Sequence, residues 1–141
     1  MSRIKAREAA FSLLYAWQFN RCDADLSMEV MRESVEIANI DDDDICYIRS
    51  LLNGYALHHE YIDTLVEDLS VDWKIERISK VDLSILRLGI QELLYDDAIP
   101  NAVIIDQCVE LAKRYSTEKS SAFIHGILSG AILHHTQAVA P

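Results

Sequence analysis

The segment KVDLSILRLGIQELLY, residues 80–95, decides the fold class. Projected at about 100° per residue, its apolar side chains form two faces that together surround the helix. One face holds Leu83, Leu86, Ile90, Leu93 and Leu94, and the other holds Val81, Ile85, Leu88 and Tyr95. A helix that is apolar all round must be buried on both sides. We therefore predict a central helix between two small helical bundles, with Arg87 and Glu92 paired to charged groups elsewhere in the chain.

The rest of the sequence also follows the periodicity of helices. Glycine occurs four times and proline twice in 141 residues, and no alternation of apolar and polar residues favours β hairpins. Apolar side chains at helical spacing predict helices at 3–20, 26–38, 44–58, 59–69, 80–95, 101–115 and 119–134. The sequence thus predicts one all-α domain of about seven helices over residues 1–134, followed by a flexible tail over residues 135–141.

The distribution of charge along the chain is uneven. The formal net charge is −10, from 13 basic and 23 acidic side chains. The first 21 residues reverse this balance, with four basic side chains and one acidic side chain, Glu8. Residues 22–72 hold two basic and 14 acidic side chains, which we interpret as a solvated face. Any contact with nucleic acid must avoid that middle segment.

Membrane and secreted classes find no support in the sequence. No apolar run approaches the roughly 20 residues that span a bilayer, and the start of the chain lacks the pattern of a signal peptide. Cys22, Cys46 and Cys108 are far apart and form no C-x-x-C spacing, which suits a reducing compartment. We expect a cytoplasmic protein without membrane association.

Motifs of enzymes and cofactor sites are also absent from the sequence. HHEYID, residues 58–63, resembles the H-E-x-x-H motif of zinc proteases, but Asp63 stands where the second histidine is required. No Walker loop, G-x-G-x-x-G or G-x-S-x-G occurs. We predict a protein that is not an enzyme, with no catalytic residue, metal site or cofactor.

The first predicted helix has two apolar faces on nearly opposite sides. The face that we assign to the core holds Ala6, Ala9, Ala10, Leu13 and Trp17, and the second face holds Ile4, Phe11, Tyr15 and Phe19. Arg3 and Arg7 lie together between the two faces, because they are one helical turn apart. The second face is either buried inside the fold or presented to a partner.

Basic and aromatic side chains also cluster later in the chain. One cluster holds Trp73, Lys74, Arg77 and Lys80, and another holds Lys113, Arg114, Tyr115 and Lys119. Single-stranded RNA is bound by such combinations, because cations contact the backbone and rings stack on bases. Three basic regions in an acidic chain make RNA a candidate ligand.

Three blocks of sequence resemble the NusB family of transcription antitermination factors. The blocks are AREAAFSLLYAWQ at 6–18, WKIERISKVDLSILRLGIQELLYDDAIPNAVIIDQCVELAKRY at 73–115, and STEKSSAFIHGIL at 116–128. The resemblance implies two helical bundles and a non-catalytic bacterial factor. It also implies binding of boxA-type single-stranded RNA together with the ribosomal protein NusE, within a transcribing RNA polymerase complex.

The resemblance implies roles for individual residues. The implied RNA-binding residues are Arg3, Lys5, Arg7, Trp73, Tyr115 and Lys119, and the implied NusE-binding residues are Tyr15, Phe19, Asp82 and Arg87. The chain departs from the expected family pattern at Ile4, which interrupts the arginine-rich start, and at Asp106, Gln107, Cys108 and His125.

Two other functions are compatible with the same fold. Some ribosomal-RNA cytosine methyltransferases carry a NusB-like RNA-binding region before a catalytic domain, and this chain would match such a region if it were a fragment. A structural homodimer that hides its RNA face by self-association is the other alternative. Light scattering on the purified protein would distinguish the dimer from a monomer.

Overall fold

The computed structural model describes residues 3–20, 41–70 and 74–139. These described residues form five α-helices: α1 (Arg3–Asn20), α2 (Asp42–Leu69), α3 (Lys80–Tyr95), α4 (Asn101–Tyr115) and α5 (Glu118–Val139). A 3-10 turn at Ile75–Arg77 precedes α3, and the described ranges contain no strand. The predicted all-α class is confirmed. The helix predicted at 26–38 lies outside the described residues.

Helix α3 is the centre of the fold, as its sequence predicts. Residues 82–93 are all buried, and α3 packs against each of the other four helices. Helices α1 and α2 contact each other on one side of α3, and α4 and α5 contact each other on another. Its first turn is fixed by Ser79, whose hydroxyl accepts a hydrogen bond from the Asp82 amide at 3.1 Å.

Helix α2 corrects the prediction of separate helices at 44–58 and 59–69. The structure has one continuous helix of 28 residues. Its buried side chains continue through both halves at helical spacing, at positions 48, 51, 52, 55, 62, 65 and 66, and no proline interrupts them. Asp41 caps the start by accepting the Asp44 amide at 2.8 Å. The His58–His59 step therefore lies inside a helix.

Helix α5 runs farther than the sequence predicts. It continues to Val139, five positions beyond the predicted end at 134. The flexible tail over residues 135–141 stays a prediction. Within the described part of the chain, no helix is long and apolar enough to cross a membrane.

Two glycines allow the helices to pack closely. A Cβ at Gly54 would lie 2.1 Å from Gln91 Nε2, so the amide end of Gln91 on α3 fills the space that a side chain at position 54 would need. A Cβ at Gly89 would lie 2.9 Å from Cys108 Sγ and 3.0 Å from the Leu128 side chain. Gly89 therefore lets α3 approach α4 and α5 together.

Two ion pairs join the N-terminal helices to α3. Arg7 Nε and Nη2 donate to the two Glu92 oxygens at 2.9 and 2.7 Å, and both residues are buried. Arg87 Nε and Nη2 donate to the Asp63 carboxylate at 3.0 and 3.1 Å. These contacts confirm that Arg87 and Glu92 are paired within the chain.

Candidate nucleic-acid interface

The basic start of α1 lies next to the end of α4. Phe11 of α1 and Tyr115 of α4 have ring centroids 5.3 Å apart, so the two elements meet through their side chains. Arg3 and Lys5 are exposed on α1, and the side chain of Lys119 is exposed in the first turn of α5. The exposed cations and a tyrosine that is 43% exposed therefore lie on helices that are in contact or adjacent in the chain.

Arg3 is held in place by an aromatic ring. Its guanidinium carbon lies 4.0 Å from the centroid of Tyr47, a residue of α2. A guanidinium held over a ring by a cation–π contact can still donate hydrogen bonds from the N–H groups at its edge. Arg3 is therefore an exposed cation at the surface, suited to contact with a phosphate.

Arg7 has a different environment from Arg3, although the two are one turn apart. Its guanidinium is committed to Glu92, and Tyr47 OH donates to the same carboxylate at 2.7 Å. Burial alone would lower the pKa of Arg7, but the hydrogen bonds and charge of Glu92 outweigh burial and raise it. This placement disagrees with an RNA-contacting role for Arg7, because its guanidinium is buried and donates from Nε and Nη2 to Glu92.

Glu8 makes a contact that the sequence did not predict. Arg114 Nη1 donates to Glu8 Oε2 at 2.6 Å, and Tyr115 OH donates to Glu8 Oε1. The hydrogen bond to Glu8 raises the pKa of Tyr115, and partial burial adds to the effect. The only sequence signal was that Glu8 is the single acid in a basic segment.

The start of α5 is held by a chain of hydroxyl groups. Thr117 Oγ1 accepts the Ser120 amide at 3.1 Å, which caps the helix. Ser116 Oγ donates to Ser120 Oγ at 2.9 Å, and Ser120 Oγ donates to Asp82 Oδ2 at 2.7 Å. This network fixes the orientation of the first turn of α5, on which Lys119 lies.

The four predicted NusE-binding residues separate into two groups. Tyr15 and Phe19 are exposed on α1, with ring centroids 5.2 Å apart. Asp82 and Arg87 are buried and bound to Ser120 and Asp63 respectively. Those two contacts make Asp82 and Arg87 part of the fold rather than part of an exposed surface.

The second apolar face of α1 is also partly buried and partly exposed. Phe11 is 5% exposed and belongs to the core, whereas Phe19 is 57% exposed. Lys80 Nζ lies 5.5 Å from the centroid of Phe19. Gln18 Nε2 donates to Lys80 O at 2.9 Å and to Ser84 Oγ at 2.6 Å, so the end of α1 is fixed against α3.

Two candidate features of the sequence remain, Trp73 and the HHEYID segment at residues 58–63. Trp73 lies outside the described residues. Asp63, which stands at the second histidine position of HHEYID, accepts hydrogen bonds from Arg87 and Tyr55. Within ranges 3–20, 41–70 and 74–139, no group of three His, Cys, Asp or Glu side chains is arranged to hold a metal ion.

Comparison with known proteins gives one consistent result. The NusB family model matches residues 4–132. The transcription antitermination protein NusB of Clostridium novyi is 36% identical over 132 residues, which cover 94% of this chain and 98% of that protein. The structure of T. maritima NusB matches with a TM-score of 0.84 at 33% identity, covering 94% of this chain and 92% of that chain. A crystal structure of antitermination factors NusB and NusE in complex with dsRNA matches with a TM-score of 0.79 at 31% identity, covering 95% and 99%. The chain belongs to the NusB family.

Proposed function

We propose that this protein is a non-enzymatic transcription antitermination factor that binds RNA and NusE and acts within a transcribing RNA polymerase complex in the cytoplasm. The observation that carries the proposal is the meeting of the basic start of α1 with Tyr115 of α4. In a chain of net charge −10, this surface combines exposed cations with an exposed ring. Long-range repulsion of RNA is reversed only near such cations, within a Debye length of about 8 Å at physiological salt.

The RNA-binding surface comprises Arg3, Lys5, Tyr115 and Lys119. Arg3 and the two lysines supply charge for phosphates, and the ring of Tyr115 supplies a face for a base. Arg7 acts indirectly, because its bond to Glu92 fixes the helix on which Arg3 and Lys5 lie. Trp73 stays a proposed contact on the strength of the family resemblance alone.

The NusE-binding surface comprises Tyr15 and Phe19. Two exposed aromatic rings in contact with each other, beside Lys80, match the aromatic composition of the centres of protein interfaces. The family relationship supports this partner, because a structural relative contains NusB and NusE together. A basic partner beside the RNA surface would add phosphate contacts that this acidic chain lacks.

One finding favours this function over the methyltransferase alternative. The C. novyi relative, named as an antitermination protein, is matched over 98% of its length, which favours a factor of this kind over a methyltransferase region. The structural relative with NusE contains dsRNA, so the form of RNA needs a direct comparison. We propose boxA-type single strands, because stacking on Tyr115 requires an unpaired base.

An affinity measurement with three RNAs tests the proposal. The probes are a boxA-type single strand, a scrambled single strand of equal length and an RNA duplex, each with and without the NusE of the same bacterium. We expect the boxA-type strand to bind best and NusE to strengthen its binding. Equal affinity for all three probes in the presence of NusE would contradict the proposed specificity. For single alanine substitutions of Arg3 or Lys5, Arg49→Ala on α2 is the charge-matched control. It removes the same charge, but from the acidic segment.

Light scattering on the same samples tests the homodimer. A monomer that joins NusE in a one-to-one complex supports the proposal. A stable homodimer that neither NusE nor RNA dissociates would favour the structural alternative.

A further inference from the structure

The Glu8 carboxylate makes the kind of contacts that an RNA phosphate would make. It accepts one hydrogen bond from the guanidinium of Arg114 and one from the hydroxyl of Tyr115. Phosphate oxygens are bound by these same donors. Tyr115 belongs to the surface that the proposed function assigns to RNA, and Arg114 is its neighbour in the chain. The carboxylate therefore occupies a position that suits a phosphate.

The ion pair between Glu8 and Arg114 is exposed enough for a phosphate to replace the Glu8 carboxylate. The side chain of Arg114 is 57% exposed and that of Glu8 is 27% exposed. Exposed ion pairs are weak, because water solvates the separated charges well. The buried pair of Arg7 and Glu92 provides the contrast, since its side chains are 3% and 0% exposed and separation would leave a charge in the core.

We propose that Glu8 holds Arg114 and Tyr115 in the free protein as a phosphate substitute, and that RNA displaces it. Arg114 is then a further RNA-binding residue, which Glu8 releases when a phosphate takes its place. This inference rests on the proposed function, because it concerns the same surface. Displacement leaves the Glu8 carboxylate close to the RNA backbone, so Glu8 reduces the affinity for RNA.

The packing of α1 against α4 does not depend on Glu8 alone. Phe11 and Tyr115 are also in contact at 5.3 Å between ring centroids, and Phe11 is buried. An apolar contact between the two helices therefore remains when the Glu8 hydrogen bonds are removed. This is why we expect the protein to remain folded when Glu8 is neutralised.

Neutralising Glu8 tests the exchange. We expect Glu8→Gln to strengthen binding of RNA about two- to fivefold, the range for removal of one exposed charge interaction. BoxA-type and scrambled strands should gain equally, because phosphate contacts carry no sequence information. Arg114→Ala should weaken binding, and the gain from Glu8→Gln should be smaller when it is combined with Arg114→Ala, because only Tyr115 then remains to be released.

Glu110→Gln is the matched control. Glu110 pairs with Lys113 of the same helix at 3.6 Å, so its neutralisation changes the net charge equally without touching Arg114. The exchange is overturned if Glu8→Gln gains no more affinity than Glu110→Gln, or if its gain is undiminished in the Arg114→Ala background. Unchanged affinity of Arg114→Ala would overturn it as well.

Two measurements separate this inference from the proposed function and from a structural role. Wild-type protein that binds no RNA with NusE present would contradict both proposals, whereas binding that is indifferent to positions 8 and 114 would contradict only the exchange. Thermal unfolding of Glu8→Gln completes the test. A variant that fails to fold would count against the exchange, because it would make the Glu8 contacts part of the fold.

Discussion

Arg7 and Glu92 form a buried ion pair with two hydrogen bonds, 2.7 and 2.9 Å long, between residues 85 positions apart in the chain. Tyr47 OH donates to the same carboxylate, so α1, α2 and α3 meet at one charged group. One turn earlier, the exposed Arg3 lies over the ring of Tyr47. Neighbouring arginines of one basic segment therefore have different roles.

Removal of Arg7 should destabilise the protein strongly. Arg7→Met leaves the Glu92 carboxylate buried without its cation, and breaking such a pair costs about 3–5 kcal/mol. Urea denaturation measures the change. The double variant Arg7→Met with Glu92→Leu should be more stable than Arg7→Met alone, because no charge stays buried. Arg3→Ala should shift stability by about 0.5 kcal/mol or less, as expected for an exposed side chain. Equal destabilisation by Arg3→Ala and Arg7→Met would contradict the assignment.

Substitution of the exposed cations on α1 should change the salt dependence of RNA binding. Replacing Arg3 and Lys5 with alanine should lower affinity for boxA-type and scrambled strands by similar factors. The slope of log affinity against log salt should decrease by roughly 0.7 for each phosphate that the variant no longer neutralises. A salt titration with and without NusE measures both quantities. Slopes equal to that of the wild type in both settings would mean that the start of α1 does not contact RNA.

The ring of Tyr115 should contribute through base stacking. Tyr115→Ala should weaken binding of boxA-type RNA by about 1–3 kcal/mol. Tyr115→Phe keeps the ring, so it should retain most of the affinity. Titration of a fluorescent single strand measures all three proteins. Equal weakening by both substitutions would assign the effect to the hydroxyl group instead of the ring.

Phe11 and Phe19 should respond differently to the same substitution, although they lie on one face of α1. Phe11→Ala creates a cavity in the core and should cost about 3–5 kcal/mol of stability. Phe19→Ala should leave stability nearly unchanged and weaken NusE binding by roughly 1–3 kcal/mol, as expected for an interface anchor. Calorimetric titration with NusE and urea denaturation give the two values. A loss of stability for Phe19→Ala comparable to that of Phe11→Ala would place the whole face in the core.

The hydroxyl of Tyr115 should titrate above the ordinary tyrosine pKa of about 10. Its hydrogen bond to Glu8 is the largest cause of the raised pKa, followed by burial. Glu8→Gln should therefore lower the pKa of Tyr115. Because the folded-state pKa is raised, this contact stabilises the protein fully below the unfolded value and loses effect as the pH rises through the folded value. Phenolate absorbance, with Tyr115→Phe subtracted, measures the shift. An unchanged pKa in Glu8→Gln would contradict the hydrogen bond.

The two described cysteines should differ in reactivity. Burial, with a smaller effect of the Glu92 charge, raises the pKa of Cys108 to about 12, while Cys46 is exposed. Only the thiolate reacts with a disulfide reagent. In a Cys22→Ser background at about pH 8, close to the ordinary thiol pKa, we expect rapid labelling of Cys46 and labelling of Cys108 only on unfolding. Rapid labelling of both thiols in the folded protein would show that the core around Gly89 is open.

The sequence by itself determined the helical class, the central position of residues 80–95 and the family. Each follows from a property contained within one segment: apolar residues around the whole circumference of α3, helical spacing elsewhere, and motifs of fixed spacing. It also identified the basic start of the chain, because charge can be counted without knowing the fold. The prediction of two separate helices at 44–58 and 59–69 was wrong. The sequence contains no signal for a break at His58–His59, and the apolar positions continue past it.

Only the tertiary structure decided which side chains of α1 face a neighbouring helix. Helical periodicity fixes the angular position of Arg3, Arg7, Phe11 and Phe19 around their own axis, but it does not say which directions other helices cover. Arg7 is buried because it binds Glu92 on α3, and the ring of Phe11 packs against Tyr115 on α4. Glu8 meets Arg114 across 106 positions of sequence. Contacts of that kind depend on how whole helices are arranged, because no local pattern records the distance between two segments.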